Sequence, residues 1–393
     1  MRIPPLKALA AALLASTCFS AAASAEELRI GALYPISGAG ALYGNSAMQG
    51  HELAVEQINA AGGAAGLKVV TYTRDTQLNP SLAAAAAKEL ITKDGVNVLV
   101  GTVSSGVAIA IAEVAKREQV PFIATIAKTM QLTGERRHDY VFRVATNTDF
   151  EGDAIAQMLL NQGKASYCDL QLDYAYGHDL AEGILRGLER RGADIERKLS
   201  LRVKLGAQDY SLFISQIMGA GCEVVTSGLW GTFFVNFVQQ AKPFGLFDQI
   251  TLINGGESGG QEVVGRMGEG YPDNVIANAY EVWYHDPVAA HEEFQQALAE
   301  KTGEKATNNY PVLGYTVVQF AAEAARKAGS SEGAALAAAL SGLTIETPVG
   351  ERTLDAETHQ SNTGQFWGAM RWNAELGQRV MDPVTYVPPM AAE

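Results

Sequence analysis

Short apolar runs alternate with amphipathic stretches along most of the chain. The runs at 28–33, 67–73, 96–100, 121–125, 166–172, 223–227, 250–253 and 274–277 read as strands. Between them lie helical patterns whose ends are marked. In NPSLAAAAAKELITKDG, Asn79 can cap, Pro80 suits the first turn, and Gly95 can close the helix. Leu82, Ala86 and Leu90 share one face of it. Strand and helix alternating in this way predict α/β architecture with parallel sheets covered by helices on both faces.

The chain has 393 residues, more than one hydrophobic core usually serves, so two domains are expected. No repeat, low-complexity tract or flexible linker separates them. The first residues are of another kind. Arg2 and Lys7 precede and flank the start of an apolar stretch at 8–14, and Ala23-Ser24-Ala25 has the small-x-small form of a signal-peptidase site. The stretch is shorter than a membrane span requires. Cys18 lacks a lipobox before it. A soluble exported protein is expected, periplasmic, with its signal peptide (1–25) cleaved after Ala25.

The net charge of −13 becomes more negative once Arg2 and Lys7 leave, which argues against nucleic acid as a partner. After processing only Cys168 and Cys222 remain. An oxidising compartment permits them to pair, and free buried thiols are the alternative.

In open parallel sheets, ligands bind beyond the carboxyl ends of the strands. The loops at those ends are PISGAGALYGNS (35–46), GTVSSG (101–106), TIAKTMQ (125–131), DYAYGHD (173–179), GLWGTF (228–233) and NGGESGG (254–260). Each offers small residues for close backbone approach together with hydroxyls, a ring or one charge. In GTVSSG the start of the following helix, with Ser104 and Ser105, can seat an anion; close strand–helix packing explains the small residues equally well.

Catalytic and cofactor motifs fail on spelling. Gly106 is followed by Val107, so a P-loop lysine is missing, and the third glycine after Gly38-Ala39-Gly40 falls at Gly44, too late for a dinucleotide fingerprint. Neither Ser104 nor Ser105 has a glycine two residues before it, as a nucleophile elbow needs. The six histidines form no metal-ligand spacing. The loops read as built to hold a small molecule and leave it unchanged, so the chain is expected to be no enzyme and to need no cofactor.

LRIGALYPISGAGALYGNSAMQGHELAVEQINAAGG (28–63), GTVSSGVAIAIAEVAKREQVPFIAT (101–125), QLTGERRHDYVFR (131–143) and DYAYGHDLAEG (173–183) together resemble the periplasmic solute-binding proteins of ABC importers, leucine/isoleucine/valine type. The resemblance implies the type I periplasmic binding fold: two doubly wound parallel-sheet lobes forming a clamshell, with the chain crossing three times. Those crossings are expected near 145–147, 277–280 and 346–350. Lobe 1 then comprises 26–146 plus 278–347, and lobe 2 comprises 147–277 plus 348–393. The implied partners are a small-molecule ligand and the permease subunits of the importer, with the binding protein acting as a monomer.

Carried over by position, Ser105, with Ser104 beside it, matches the loop that holds a ligand carboxylate. Ala127, Lys128 and Thr129 match a second carboxylate-binding segment, where the family usually has no lysine. Lys128 could strengthen an acid-binding site, recruit a second anionic group or point into solvent. Tyr43 matches an aromatic of the first lobe, and Tyr176 and Trp230 match residues of the second lobe that cover the ligand. Glu257 matches the acid that receives an α-amino group; capping a helix or facing water are its alternatives. Tyr310 could reach the cleft or stay in the core. The expected ligand is an amino acid or related small carboxylate. Aromatic carboxylates, small amides and a role as a periplasmic sensor subunit are the alternatives.

Overall fold

The computed structural model describes residues 27–285 and 288–390, so the expected signal peptide and its cleavage position lie outside the described residues. The first sheet holds β1 (Glu27–Tyr34), β2 (Lys68–Asp75), β3 (Val98–Gly101), β4 (Phe122–Ala124) and β5 (Val141–Arg143), all parallel in the order β2-β1-β3-β4-β5. Helices α1 (Ala41–Ala60), α2 (Pro80–Thr92) and α3 (Ser105–Glu118) connect these strands. Every residue of β3, β4 and β5 is buried, as strands covered on both faces must be.

Asn79 Oδ1 accepts from the Leu82 backbone N at 3.1 Å, so the expected cap and the Pro80 start are both present. The face shared by Leu82, Ala86 and Leu90 points inward only in part. Ala83, Ala86, Ala87 and Leu90 pack inward, whereas Leu82 is 39 % exposed. Three small alanines let this helix lie close to the sheet, and the large side chain in the first turn is left outside.

The second sheet begins with β6 (Ser166–Leu172), β7 (Glu196–Val203), β8 (Val224–Ser227), β9 (Thr251–Asn254) and β10 (Val275–Ala279). They alternate with α4 (Thr148–Asn161), α5 (Ala175–Arg190), α6 (Ser211–Gly219), α7 (Gly231–Ala241) and α8 (Gln261–Met267). Its parallel core reads β7-β6-β8-β9-β10. Cys168 in β6 is bonded to Cys222, just before the neighbouring β8, with 5.9 Å between the Cα atoms.

The chain then returns to the first lobe as α9 (Ala289–Thr302), α10 (Pro311–Ala328) and α11 (Gly333–Leu340). β11 (Thr344–Thr347) and β12 (Gly350–Thr353) follow as an antiparallel hairpin. A crossing was expected at 346–350, but the turn of this hairpin occupies that stretch. Arg143 N donates to His359 O and Ser361 N donates to Arg143 O, so the chain stays against β5 through Ser361. It enters the second sheet only at β13 (Gln365–Asn373), antiparallel to β10. β14 (Gln378–Met381) and β15 (Thr385–Val387) both pair antiparallel with β13, an edge that the parallel-sheet expectation did not contain.

Two helix crossings set the positions of the cleft residues. α1 meets α10 at Gly50 and Gly314, where a methyl group would overlap the Pro311 and Ala47 carbonyls respectively. α4 meets α5 at Gly152 and Gly183, where it would overlap backbone of the partner helix. Glycine here permits backbone-to-backbone approach. The first crossing brings the Tyr43 and Tyr310 rings to 4.4 Å between centroids. The second places Tyr176 OH 3.1 Å from Glu151 Oε2.

Candidate functional site

The strand ends and helix starts of the two sheets face each other across a cleft. Tyr43 lies in the first turn of α1, Ser105 opens α3, and Lys128 sits in the loop after β4. From the other side, Tyr176 comes from the start of α5, Trp230 from the residue before α7, and Glu257 from the loop after β9. These six of the residues named from sequence wall one cavity of about 20 Å³, room for about one water and too little for an amino acid.

Three others do not line it. Ser104 is the buried residue before α3, Ala127 packs into the core under the first sheet, and Thr129 turns away to hydrogen-bond Asp179 of the second lobe. Tyr310, left open by the sequence, reaches the cavity. Val103, Ile126 and Tyr174 line it as well and were missed. Tyr174 had a signal, since it stands two residues before Tyr176 in the same loop.

Lys128 is 4 % exposed and its ammonium points across the cleft. Nζ lies 2.5 Å from Glu151 Oε1, 2.5 Å from Glu257 Oε1 and 3.1 Å from Gly255 O, all in the second lobe. It also sits 4.8 Å from the centre of the Tyr176 ring, a cation–π distance. Burial opposes the lysine's charge, but the attraction and hydrogen bonds of both glutamates hold its pKa above the ordinary value. Glu151 is pushed up to about 7, first by burial and then by Glu257 against the pull of Lys128. Glu257 has further partners: Gln365 Nε2 donates to Oε1 at 2.7 Å and Tyr310 OH donates to Oε2 at 2.7 Å. Neither Glu151 nor Gln365 was visible from sequence. Glu151 reads there as an ordinary first-turn acid of a helix, and Gln365 arrives from a strand more than 100 residues away from Glu257.

Glu257 has φ of +52°, a left-handed conformation unusual for a residue with a side chain. The turn is pinned by its own N–H, which donates to Asn278 Oδ1 at 2.8 Å, and by Gly260 N, which donates to its carbonyl at 3.1 Å.

Other bonds tie the lobes at the rim. Tyr43 OH donates to Gly256 O at 2.8 Å and accepts from Gly231 N at 2.9 Å. Glu262, on α8, accepts at Oε1 from Ser46 Oγ at 2.5 Å, Asn309 N at 2.9 Å and Tyr310 N at 3.1 Å. A second-lobe carboxylate thereby caps the start of α10 in the first lobe, where the helix dipole favours negative charge. Asp179 does the same for Thr129 Oγ1 and Met130 N. Every one of these contacts needs the lobes to be closed.

Residues 27–375 match the profile of a family described as periplasmic binding protein. The chain belongs to the periplasmic binding protein family. It is 29 % identical over 385 residues to Leu/Ile/Val-binding protein homolog 7 of Brucella suis biovar 1 (strain 1330), covering 93 % of this chain and 94 % of that one. It is also 29 % identical over 378 residues to Leu/Ile/Val-binding protein BraC3 of Rhizobium johnstonii, covering 94 % and 98 %. Among solved structures, a solute-binding protein of an ABC transporter from Rhodopseudomonas palustris BisB5, in complex with 3,4-dihydroxybenzoic acid, superposes with a TM-score of 0.82. That pair shares 23 % identity, over 92 % of this chain and 98 % of that one. The substrate-binding protein LivJ of Streptococcus pneumoniae, in complex with isoleucine, has a TM-score of 0.81 at 23 % identity, covering 93 % and 100 %. The shared fold is the type I periplasmic binding protein fold.

In this periplasmic binding protein the cavity is walled by tyrosines that cannot ionise near neutral pH. Burial, together with the nearby Glu257 charge, raises Tyr43, Tyr176 and Tyr310 well above the ordinary phenol value. The rings therefore serve as apolar surface with hydroxyl hydrogen bonds at their tips. Among the described residues no helix is long and apolar enough to cross a membrane.

Proposed function

We propose that the chain is the extracytoplasmic solute-binding component of an ABC importer, taking a small organic acid into the interlobe cleft and delivering it to a membrane permease. The observation that carries this reading is the construction of the cleft from both lobes. Tyr43, Ser105 and Lys128 on one side meet Tyr176, Trp230 and Glu257 on the other around one cavity. A solute that touches both lobes stabilises the closed arrangement over the open one, and only such differential contact shifts the population. The closed outer surface is then what a permease would recognise. Relatives named as Leu/Ile/Val-binding proteins and fold neighbours holding isoleucine or hydroxylated benzoic acids support a small acid as cargo. Ser105, at the start of α3, and the aromatic walls supply an anion seat and an apolar berth for such a molecule.

The test is a thermal-shift screen of the purified chain against amino acids, aromatic acids, dicarboxylates and small amides, with calorimetry on the solutes that raise the melting temperature. Saturable binding of a solute returned chemically unchanged is expected. Turnover of the bound solute, or no shift across the panel, would refute the proposal.

A further inference from the structure

The geometry points to Lys128 as a built-in counter-ion for Glu257, a specificity residue that makes the cleft select acids lacking an α-amino group over the corresponding α-amino acids. The inference rests on the solute-binding reading above and concerns the same site.

An ammonium group has three hydrogens to donate. Lys128 spends them on three acceptors of the second lobe, Glu151 Oε1, Glu257 Oε1 and Gly255 O. None remains to clamp a solute carboxylate, so the lysine is not an anion hook. It does what a solute's ammonium would otherwise do: it reaches from outside the second lobe into the acid left by the β9 loop and neutralises it. The remaining room around that acid is taken too. Gln365 Nε2 shares Oε1 and the Tyr310 hydroxyl bonds Oε2. An α-ammonium brought against Glu257 would meet a buried lysine charge within a few ångströms, and like charges with little water between them repel strongly.

Ser105 offers a second polar contact in the same cavity. Its Oγ accepts from Thr129 N at 3.3 Å, which leaves the hydroxyl hydrogen to donate. The closed cavity of about 20 Å³ is too small even for an acid without an amino group, so the aromatic walls must shift outward to admit it; its carboxylate then lies at Ser105 and its body among Tyr43, Tyr174, Tyr176 and Trp230, with the Lys128–Glu257 contact kept. Discrimination then comes from an element placed against the wrong solute as well as from contacts to the right one.

The experiment uses matched pairs that differ by the α-amino group alone: leucine against 4-methylpentanoate, and phenylalanine against 3-phenylpropanoate, measured by calorimetry. The unaltered chain should bind the deaminated member of at least one pair tenfold or more tightly than its amino acid. Replacing the lysine alone strands two buried carboxylates, so the gain-of-binding arm uses Lys128→Met combined with Glu151→Gln, which leaves Glu257 as the single charge. That variant should gain at least tenfold for the amino acid and reverse the preference. Equal or tighter binding of the amino acids by the unaltered chain would overturn the inference whether or not the variant folds. A folded variant that gains nothing would overturn it too. If neither pair binds but other solutes of the screen do, the inference falls and the solute-binding reading stands; if no solute binds, both fall.

Discussion

Glu262 offers a test of lobe closure at a residue whose own side chain does not line the cavity. Its carboxylate sits on α8 of the second lobe, is 4 % exposed, and accepts from the Ser46 hydroxyl and from the Asn309 and Tyr310 N–H groups of the first lobe. Burial raises its pKa, and the three donors pull it back down, so part of the interaction is spent on desolvating the acid. Glu262→Ala removes these bonds from the closed form alone, since water serves all four groups when the lobes part. A hydrogen bond to a charged group contributes roughly 1.5 to 3 kcal/mol. Taking one such contribution as the net of three bonds less desolvation, the closing equilibrium should weaken by about 10- to 100-fold, at ~1.4 kcal/mol per decade. Where the free protein is mostly open, apparent solute affinity falls by the same factor. Calorimetry with the solute that shifts the melting temperature most reads the affinity, and small-angle scattering with and without that solute reads the closure. The free variant should keep its circular dichroism spectrum, because each lobe retains its own core. An affinity within twofold of the parent, with unchanged closure, would refute the view that this acid latches the lobes.

Gly314→Ala should destabilise the first lobe by about 2 kcal/mol or more, the range of a forced overpacking, because its methyl group has only the Ala47 carbonyl to displace on the facing helix. Urea unfolding followed by far-ultraviolet circular dichroism checks this, and an unchanged midpoint would show that α1 and α10 can separate at little cost. Glu151 has a folded pKa of about 7 against an ordinary value of 4.5, so the folded state holds more protons than the unfolded one between those limits. Its contribution to stability is therefore fully present below about pH 4.5 and is lost as pH rises through 7. Relative to Glu151→Gln, the parent chain should lose stability across that window in pH-dependent unfolding; a constant difference would contradict the assignment.

What could be read along the chain were the features decided within a few residues of themselves. The eight strands named from sequence correspond to β1 to β4, β6 and β8 to β10, because a short strand-like run between helical patterns is a local signal that needs no knowledge of its neighbours. Asn79 and Pro80 start α2 as expected, since a cap acts on its own first turn. The position of Tyr43, Ser105, Lys128, Tyr176, Trp230 and Glu257 at strand ends was also legible, because parallel topology sends those loops to one side.

Tertiary structure alone decided what those residues do to one another. Lys128 and Glu257 are 129 positions apart, and the ion pair between them exists only because the two lobes meet. Glu151, Gln365 and Glu262 carry no local mark of their roles, since an acid or amide on a helix or strand looks the same whether it faces water or a partner. The third crossing and the antiparallel edge strands β13 to β15 likewise depend on which chain segment has free backbone groups to pair with, at Arg143 and along β10. Periodicity reports burial; it does not report the partner across the gap. For this protein, chemistry at the base of the cleft is set by that partner.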